Sequence, residues 1–269
     1  MFRRGVCLSG LLGLLGTACA VETASDFDLS AYELVDLTHP FDDRTVYWPT
    51  ATTGFELDTL AYGMTPGGWF YAANAFATPE HGGTHLDAPL HFASGQAAAD
   101  EIPLERLVAD AAVIDVTAQA SEDPDYQLTT EDVLAFENDH GVIAEGTIVL
   151  LRTGWSRYWP DAADYLGDDT PGDASRLHFP GYGEAAARLL VEERRVGALG
   201  ADVASIDIGA SQDFPVHRVA AAAGVPGLEN LTSLDRLPPR GAIVVALPMK
   251  IAGGSGGPLR AIALVPRGQ

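Results

Sequence analysis

The chain has 269 residues, of which 47% are hydrophobic and 20% are charged, so it is long and apolar enough to fold around a full core. It carries 37 acidic and 16 basic side chains, and its formal net charge is −21. A surface this acidic repels nucleic acid and anionic lipid, which excludes both as partners.

The N-terminal segment differs in composition from the rest of the chain. Two arginines precede an apolar run, Val6–Leu15, and small residues follow up to Ala20. This order is typical of a secretory signal peptide, which we assign to residues 1–20. The run is too short for a transmembrane helix, and no later stretch is apolar for long enough. The sequence thus predicts an exported protein, periplasmic or secreted, with residues 21–269 as one mature domain.

Both cysteines, Cys7 and Cys19, lie inside this segment, so the mature domain is expected to have no disulfide. The Ala18-Cys19-Ala20 pattern fits signal-peptide cleavage, and we expect the mature chain to begin between Cys19 and Val21. Cys19 could instead be a lipid-acceptor cysteine, although Gly16 fits that motif poorly. Both fates of Cys19 therefore stay open at the level of sequence.

Short runs with strand-like patterns come first along the mature chain and return near its end. The turn-rich segment Gly63–Gly68 separates the second run from the third. The later runs are rich in Val, Ile and Leu, as buried strands are. The predicted strands are Tyr32–Leu37, Phe55–Tyr62, Trp69–Ala77, Ala112–Val116, Thr147–Leu151, Ala198–Leu199, Ala242–Leu247 and Ala261–Val265.

Three helices are predicted between these strands. Thr129–Asp139 begins at a threonine cap, Glu184–Arg195 is amphipathic, and Phe214–Ala223 ends at Gly224. Residues 156–181 are rich in Asp, Pro, Gly and aromatics, and a loop of this length is often a lid or a binding loop. No repeat or linker divides the chain, which indicates a single mixed α/β domain.

Potential metal ligands concentrate in one short stretch. Of the seven histidines in the chain, three fall within eleven residues together with one aspartate: His81, His85, Asp87 and His91. Imidazole and carboxylate are ligands that divalent zinc, manganese and iron accept. Four such groups in an otherwise apolar, small-residue stretch favour a metal site over histidines that are merely hydrogen-bonded in the core.

The spacing within this motif constrains its backbone. A helix would place the ends of the motif on different faces, and Gly82-Gly83 and Pro89 oppose a helix. On an extended chain all four side chains point the same way, because they lie an even number of residues apart. A straight strand would spread them over about 33 Å, too far to share one ion. We expect a kinked strand that carries His85 and Asp87 and brings His81 back to them.

A second cluster could complete the ligand shell. His217 opens the short third helix, and Glu229 follows a Gly-Val-Pro-Gly turn. Each of these side chains could add a ligand to the same ion. By spacing alone, a histidine at a helix N-terminus with a capping glutamate explains them at least as well.

Residues 81–91 resemble the signature of the cyclase family of metal-dependent hydrolases, which includes bacterial kynurenine formamidase and isatin hydrolase. The family pattern His-x-Gly-Thr-His-x-Asp-x-Pro-x-His is met in full. The resemblance implies a swivelling β/β/α fold and assembly as a homodimer or a larger homo-oligomer. Shorter matches to the family run through the mature chain: Asp36-Leu37-Thr38, Val46–Pro49, Leu151–Trp155 and Asp202–Asp207.

The resemblance also implies which residues bind metal. His81, His85 and Asp87 would bind a first divalent ion. Asp87 would bridge to a second ion held by His217 and Glu229. Members of the family use one or two ions, zinc or manganese. The implied chemistry is hydrolysis by metal-activated water.

Two further roles follow from the resemblance. His91 would be the general acid–base and not a ligand, and Trp48 would pack on an aromatic substrate. A histidine with a pKa near the working pH can supply the proton that a leaving amine needs. His91 also lies beyond the bend at Pro89, so it can face the site without binding the metal.

Other polar residues near these motifs have open roles. Asp202, Ser205 and Asp207 follow a buried strand, where site residues often sit, but turn propensity favours a structural role for Ser205 and Asp207. His39 could line the pocket or be only hydrogen-bonded. Residues Gly253–Pro258 lack the features of a phosphate loop and are interpreted as a tight loop near the pocket rim.

Together these features predict a metal-dependent hydrolase of a small, aromatic amide, cyclic amide or lactone. Kynurenine formamidase acts on a cytosolic metabolite, which the signal peptide argues against, so ring opening of the isatin type suits this chain better. The alternative is an exported, non-catalytic metal-binding or interaction protein. A mere binder would need neither His91 nor Trp48, and both are present.

Overall fold

The computed structural model describes residues 27–268; the predicted signal peptide and both cysteines lie outside this range. The five α-helices are α1 (Thr117–Glu122), α2 (Thr130–His140), α3 (Ala162–Leu166), α4 (Glu184–Arg188) and α5 (Pro215–Ala222). The twelve strands are β1 (Tyr32–Asp36), β2 (Glu56–Met64), β3 (Phe70–Ala77), β4 (His85–Asp87), β5 (Val108–Asp115), β6 (Gln127–Leu128), β7 (Ile148–Arg152), β8 (Gly181–Tyr182), β9 (Ala198–Ala201), β10 (Gly227–Glu229), β11 (Arg240–Pro248) and β12 (Gly256–Pro266).

Eight of the strands form one mixed sheet in the order β1-β12-β11-β5-β7-β9-β10-β4. Strands β5, β7, β9 and β10 run parallel to one another, and the other pairings of this sheet are antiparallel. The start of β12 also pairs with β4, so the two ends of the sheet meet and the core closes into a barrel. β4 therefore lies between β10 and β12.

The central strand β7 shows how the core is divided. Its first four side chains, Ile148–Leu151, are fully buried on both faces, as expected for a strand covered on two sides. Ile148 and Leu150 pack inside the barrel with Val113 and Val244. Val149 and its neighbours on the opposite face pack under the helices. The predicted mixed α/β fold is confirmed, with one apolar layer on each side of the sheet.

The helices follow the local signals in the sequence. Thr129 caps α2 and exchanges hydrogen bonds with Asp132, which forms a reciprocal capping box. The predicted helix Glu184–Arg195 is α4, which continues into a π-helical turn at Leu189–Glu193. No helix within residues 27–268 is long and apolar enough to cross a membrane.

The long segment 156–181 contributes aromatic side chains to the core and does not form a lid over the cavity. It contains α3, and Tyr165 and Phe179 within it are fully buried. None of its residues lines the cavity described below. The expectation of a lid was wrong because its aromatic residues serve as core side chains, which composition alone does not distinguish from binding residues.

Candidate metal centre

The first part of the centre is built by β4 and the turn before it. His85 and Asp87 lie two residues apart on β4 and therefore point to the same face of the sheet. The chain reverses at Gly82 and Gly83, which have φ angles of 145° and 57°. This reversal brings His81 Nδ1 to 2.6 Å from Asp87 Oδ1. The structure thus shows the kinked strand that the spacing predicted.

The second part comes from elements more than a hundred residues away. His217 lies in the first turn of α5, and its Nε2 is 3.0 Å from Asp87 Oδ2 and 3.1 Å from Glu229 Oε1. Glu229 lies on β10 directly opposite His85, and their side chains approach to 3.4 Å. Glu229 does not cap α5; its Oε1 accepts a hydrogen bond from the backbone N–H of Ile206. The capping alternative was therefore wrong for Glu229.

Two groups of three ligand atoms result, and Asp87 belongs to both. One group comprises His81, His85 and Asp87, and the other comprises Asp87, His217 and Glu229. Within each group all ligand atoms lie within 4.8 Å of one another. Imidazole nitrogens and carboxylate oxygens in this arrangement fit a divalent metal ion.

The hydrogen bonds around the cluster also indicate that a cation binds there. His85 Nδ1–H donates to the carbonyl of Gly83 at 2.9 Å, which leaves the Nε2 lone pair directed at the carboxylates. That nitrogen lies 3.1 Å from Asp87 Oδ1. A lone pair this close to a buried carboxylate oxygen is repelled unless a proton or a metal ion lies between them.

The raised pKa values of His85 and His217 also show that these nitrogens favour a bound cation. Burial disfavours a charged ring, but hydrogen bonding to Asp87 and the charges of Asp87 and Glu229 raise the pKa of His85 to about 9. Burial also lowers the pKa of His217, but hydrogen bonds to Asp207, Asp87 and Glu229 outweigh it and raise that pKa well above its usual value. Protons therefore compete with a metal ion for these nitrogens.

His91 stands apart from both ligand groups. Its ring stacks on the ring of His81, with centroids 3.8 Å apart and planes at 19°. Burial lowers the pKa of His91 to about 4, so its ring is neutral at pH 7. It also lines the cavity, where a bound molecule could reach it. A neutral imidazole in this position can accept a proton.

The centre lies in a cavity of about 290 Å³. Aromatic side chains form the wall that faces the polar cluster, and they include Trp48, Phe92 and Phe214. The Trp48 ring lies 6.0 Å from the Phe214 ring and 6.2 Å from the Phe179 ring. The cavity lining thus combines a charged, potential metal-binding cluster with aromatic side chains.

Comparison with known proteins supports the interpretation of this site. The family model described as Putative cyclase matches residues 35–208. The chain belongs to the cyclase family. An isatin hydrolase of Roseibium aggregatum is 37% identical over 208 residues, which cover 74% of this chain and 77% of that protein. A kynurenine formamidase of Salinibacter ruber is 32% identical and covers 68% of this chain and 74% of its own length.

A solved structure is similar over most of its length. It is the crystal structure of an isatin hydrolase bound to the product analogue thioisatinate, with a TM-score of 0.79 and 31% identity. The match covers 88% of this chain and 94% of that one. The cyclase fold is therefore confirmed, and this cyclase-family chain is a metal-dependent hydrolase.

Two contacts of this cyclase-family site were missed by sequence reasoning. Ser255 Oγ lies 2.8 Å from His81 Nε2 and donates to Glu80 Oε2 at 2.6 Å. The loop Gly253–Pro258 is therefore part of the centre and not only its rim. The sequence signal was the glycine-rich composition of this loop, and the structure gives its reason: an added Cβ at Gly256 would lie 2.6 Å from His81 Cε1.

Of the residues whose roles the sequence left open, one lines the cavity and two have structural contacts elsewhere. Ser205 lines the cavity. Asp202 is directed away from the cluster and accepts hydrogen bonds from Thr153 and Gly154. His39 does not line this cavity; it is buried and stacks on Trp159 with centroids 4.3 Å apart.

Proposed function

We propose that this chain hydrolyses a small cyclic aromatic amide of the isatin type. The observation that carries the proposal is the cavity in which an aromatic wall faces the histidine–carboxylate cluster. Its volume of about 290 Å³ is at the low end of ligand pockets, which are about 300–1,000 Å³, and suits a compact bicyclic molecule. The 37% identity to an isatin hydrolase supports the same substrate class.

We further propose that His81, His85, Asp87, His217 and Glu229 bind the metal. The ion is zinc or manganese, as the family resemblance implies, and the mixed nitrogen and oxygen donors of both groups are compatible with either. Two ions sharing Asp87, or one ion that takes most of these ligands, are both compatible with the donor set. When bound, the metal polarises the scissile carbonyl and lowers the pKa of water.

The residues around the metal ligands have distinct tasks in this hydrolysis. The water oxygen bonds to the carbonyl carbon, and the bond between that carbon and nitrogen breaks. His91 accepts a proton from the water and delivers it to the departing nitrogen. Trp48 stacks on the aromatic ring of the substrate and holds the carbonyl towards the cluster.

A second substrate has specific support. The 32% identity to a kynurenine formamidase favours an aryl formamide, whose bond to be broken is also an amide. Export argues against this substrate, since it is a cytosolic metabolite. The non-catalytic alternative is not favoured, because the relatives at 37% and 32% identity are both hydrolases.

The test compares metal-stripped protein reloaded with Zn²⁺ or Mn²⁺ on three substrates: isatin, N-formylkynurenine and an aromatic lactone. We expect ring opening of isatin with at least one of the two metals, and at least a tenfold lower kcat/KM for the formamide. A higher kcat/KM for N-formylkynurenine than for isatin would show that the chain is a formamidase and not an isatin hydrolase. If none of the three compounds is hydrolysed, the proposed substrate class is refuted.

We propose that the protein is exported after removal of residues 1–20, or anchored by lipid at Cys19. The basic, apolar and small-residue order of this segment supports export. The mass of the protein isolated from its native host decides between these fates, since a lipid adds a defined mass. Retention of Met1 would overturn export and remove the argument against the formamidase.

We also propose that two copies of the chain associate through the hairpin formed by β2 and β3. Eight large apolar side chains of this hairpin are more than half exposed, including Tyr62 at 79% and Trp69 at 62%. At about 150–250 Å² for each aromatic side chain, the hairpin exposes on the order of 1,000 Å². A standard interface needs about 800 Å² from each partner.

The charge pattern points to a second copy as the occupant of this hairpin. Residues 59–79 carry no charged side chain, although the chain as a whole has a net charge of −21. Two copies can therefore approach at this ribbon without the repulsion that acts elsewhere on their surfaces. A homo-oligomer with paired hairpins would cover this apolar surface, which is rare in stable monomers.

Sedimentation of the purified protein tests the association. Wild type is expected to be a dimer or larger, and Tyr62→Glu is expected to shift it towards monomer. Leu134→Glu, a matched change at an exposed leucine of α2, should leave the mass unchanged. A monomeric wild type would refute the proposal, and its binding to neutral lipid vesicles would identify the hairpin as a membrane surface instead.

A further inference from the structure

A buried carboxylate outside the predicted ligand set contacts the centre. Asp207 follows β9 and is 1% exposed. Its Oδ2 lies 2.6 Å from Nδ1 of His217 and also accepts the backbone N–H of His217 at 3.0 Å. Its Oδ1 accepts the backbone N–H of Val216 at 2.9 Å. One carboxylate therefore binds three N–H groups in the first turn of α5.

These contacts determine how His217 presents its ring. A carboxylate can only accept hydrogen bonds, so Nδ1 must carry a proton. In the neutral ring this leaves the Nε2 lone pair facing Asp87 and Glu229, where a metal ligand is needed. The two backbone bonds fix the start of α5 relative to the same carboxylate, so ring orientation and ring position depend on one group.

The start of α5 depends on Asp207 for a second reason. The residue before the helix, Phe214, has a φ of 49° and provides no side-chain cap. Asp207 takes the place of that cap from a different segment of the chain. The loop that carries Asp207 is thereby fixed to the helix that carries His217.

The three imidazoles of the cluster are supported differently. The outward nitrogen of His85 donates to a backbone carbonyl at Gly83, and that of His81 contacts the Ser255 hydroxyl. Within residues 27–268, His217 is the one of the three whose outward nitrogen meets a carboxylate directly. A charged acceptor makes the stronger hydrogen bond and fixes the tautomer more firmly.

We propose that Asp207 is the positioning residue that holds His217 in the tautomer and orientation required for metal binding. The proposal rests on the proposed metal site and adds a residue that belongs to neither ligand group. Asp207 does not itself line the cavity, and the proposed ligand that its carboxylate hydrogen-bonds is His217. Its effect on the centre therefore passes through His217.

The decisive comparison is Asp207→Asn against Asp202→Asn. In Asp207→Asn an NH₂ group replaces one of the two acceptor oxygens, so the side chain cannot accept from all three N–H groups of the first turn of α5. If the NH₂ faces His217, it opposes the ring proton on Nδ1; if it faces the N–H of Val216, it displaces the start of α5. Either orientation disturbs the way His217 presents its Nε2 lone pair. Asp202 is a matched control, because it is 2% exposed and accepts from Thr153 N–H at 2.7 Å and Gly154 N–H at 2.9 Å.

The readout is the affinity of chelator-stripped protein for Zn²⁺ and Mn²⁺, measured by competition with a chromophoric chelator. We expect Asp207→Asn to bind about 10–100-fold more weakly than wild type, the loss typical of a group that orients a ligand. Asp202→Asn should bind metal like wild type, even if both variants unfold at lower temperature. In a His217→Ala background, Asp207→Asn should cause no further loss.

The outcomes distinguish a failure of the proposed metal site from a failure of the role of Asp207. A wild type that binds neither metal would refute the proposed function. Wild-type affinity in Asp207→Asn, or equal losses in both Asn variants, would refute the role of Asp207 alone. Should Asp207→Asn fail to fold, Asp207→Glu and Asp202→Glu give the same test, because the added methylene displaces the carboxylate but keeps its charge. Only Asp207→Glu should then weaken metal binding, and equal affinity of the two variants would refute the role.

Discussion

The separation of metal binding from proton transfer can be tested by removing His85 and His91 one at a time. His85 is 3% exposed, and its Nε2 lies 3.1 Å from Asp87 Oδ1 and 3.4 Å from Glu229 Oε2. In His85→Ala a ligand is missing and the two carboxylates lose their partner. Metal affinity should fall by more than the roughly 10–100-fold that loss of an orienting group causes.

His91→Ala should behave differently, because His91 belongs to neither ligand group and meets the cluster through ring contacts, with His81 at 3.8 Å and His217 at 6.3 Å between centroids. We expect its metal content to equal that of wild type. Its turnover should fall by about 10²–10⁴-fold, which is the usual contribution of a general acid–base. This corresponds to about 2.7–5.4 kcal/mol of transition-state stabilisation.

The assay measures metal content by mass spectrometry and turnover on the same preparations of both variants. A metal-free His91→Ala would show that His91 is a ligand and that our separation of roles is wrong. Full activity in His91→Ala would show that another group transfers the proton, with Glu229 or His217 as the next candidates.

Three further outcomes are expected. Chelation should lower the melting temperature, because a metal at a thousand times its Kd stabilises the fold by about 4 kcal/mol. Gly256→Ala should weaken metal binding, measured by chelator competition, since its Cβ would lie 2.6 Å from His81 Cε1. Burial lowers the pKa of His39 to about 4, so between about pH 6.5 and 4 the unfolded chain binds a proton that the folded chain rejects. In urea unfolding, the free energy of unfolding should therefore decrease by up to about 3 kcal/mol as the pH is lowered from about 6.5 to 4. His39→Phe should not show this decrease.

The half of the centre that is local in sequence could be predicted. The even spacing of His85 and Asp87 placed both on one face of a strand, and Gly82 and Gly83 marked where the chain turns. These inferences need only the geometry of an extended chain and the sterics of glycine. The threonine cap of α2 and most strand positions were likewise predicted from local patterns.

The remote half was beyond local reasoning. Nothing in the spacing of His217 and Glu229 distinguishes a ligand pair from a capped helix start. Asp207 was assigned to a turn by propensity, although it caps α5 and orients His217. Similarly, the aromatic residues of 156–181 had a composition that fits a lid and a core equally. In each case the deciding contact joins segments that are distant in the sequence and meet only in the folded chain.

That closure explains why a three-residue strand can support the centre. On β4, His85 pairs with Glu229 of β10 on one side and with Pro258 of β12 on the other. Directly opposite residues of adjacent strands project to the same face, so the register of β10 places the Glu229 carboxylate beside the His85 ring. A slip of one residue would turn Glu229 to the opposite face and break the group formed by Asp87, His217 and Glu229. The register of β4 is held from both sides, and the metal centre is therefore a consequence of the barrel and not of the motif alone.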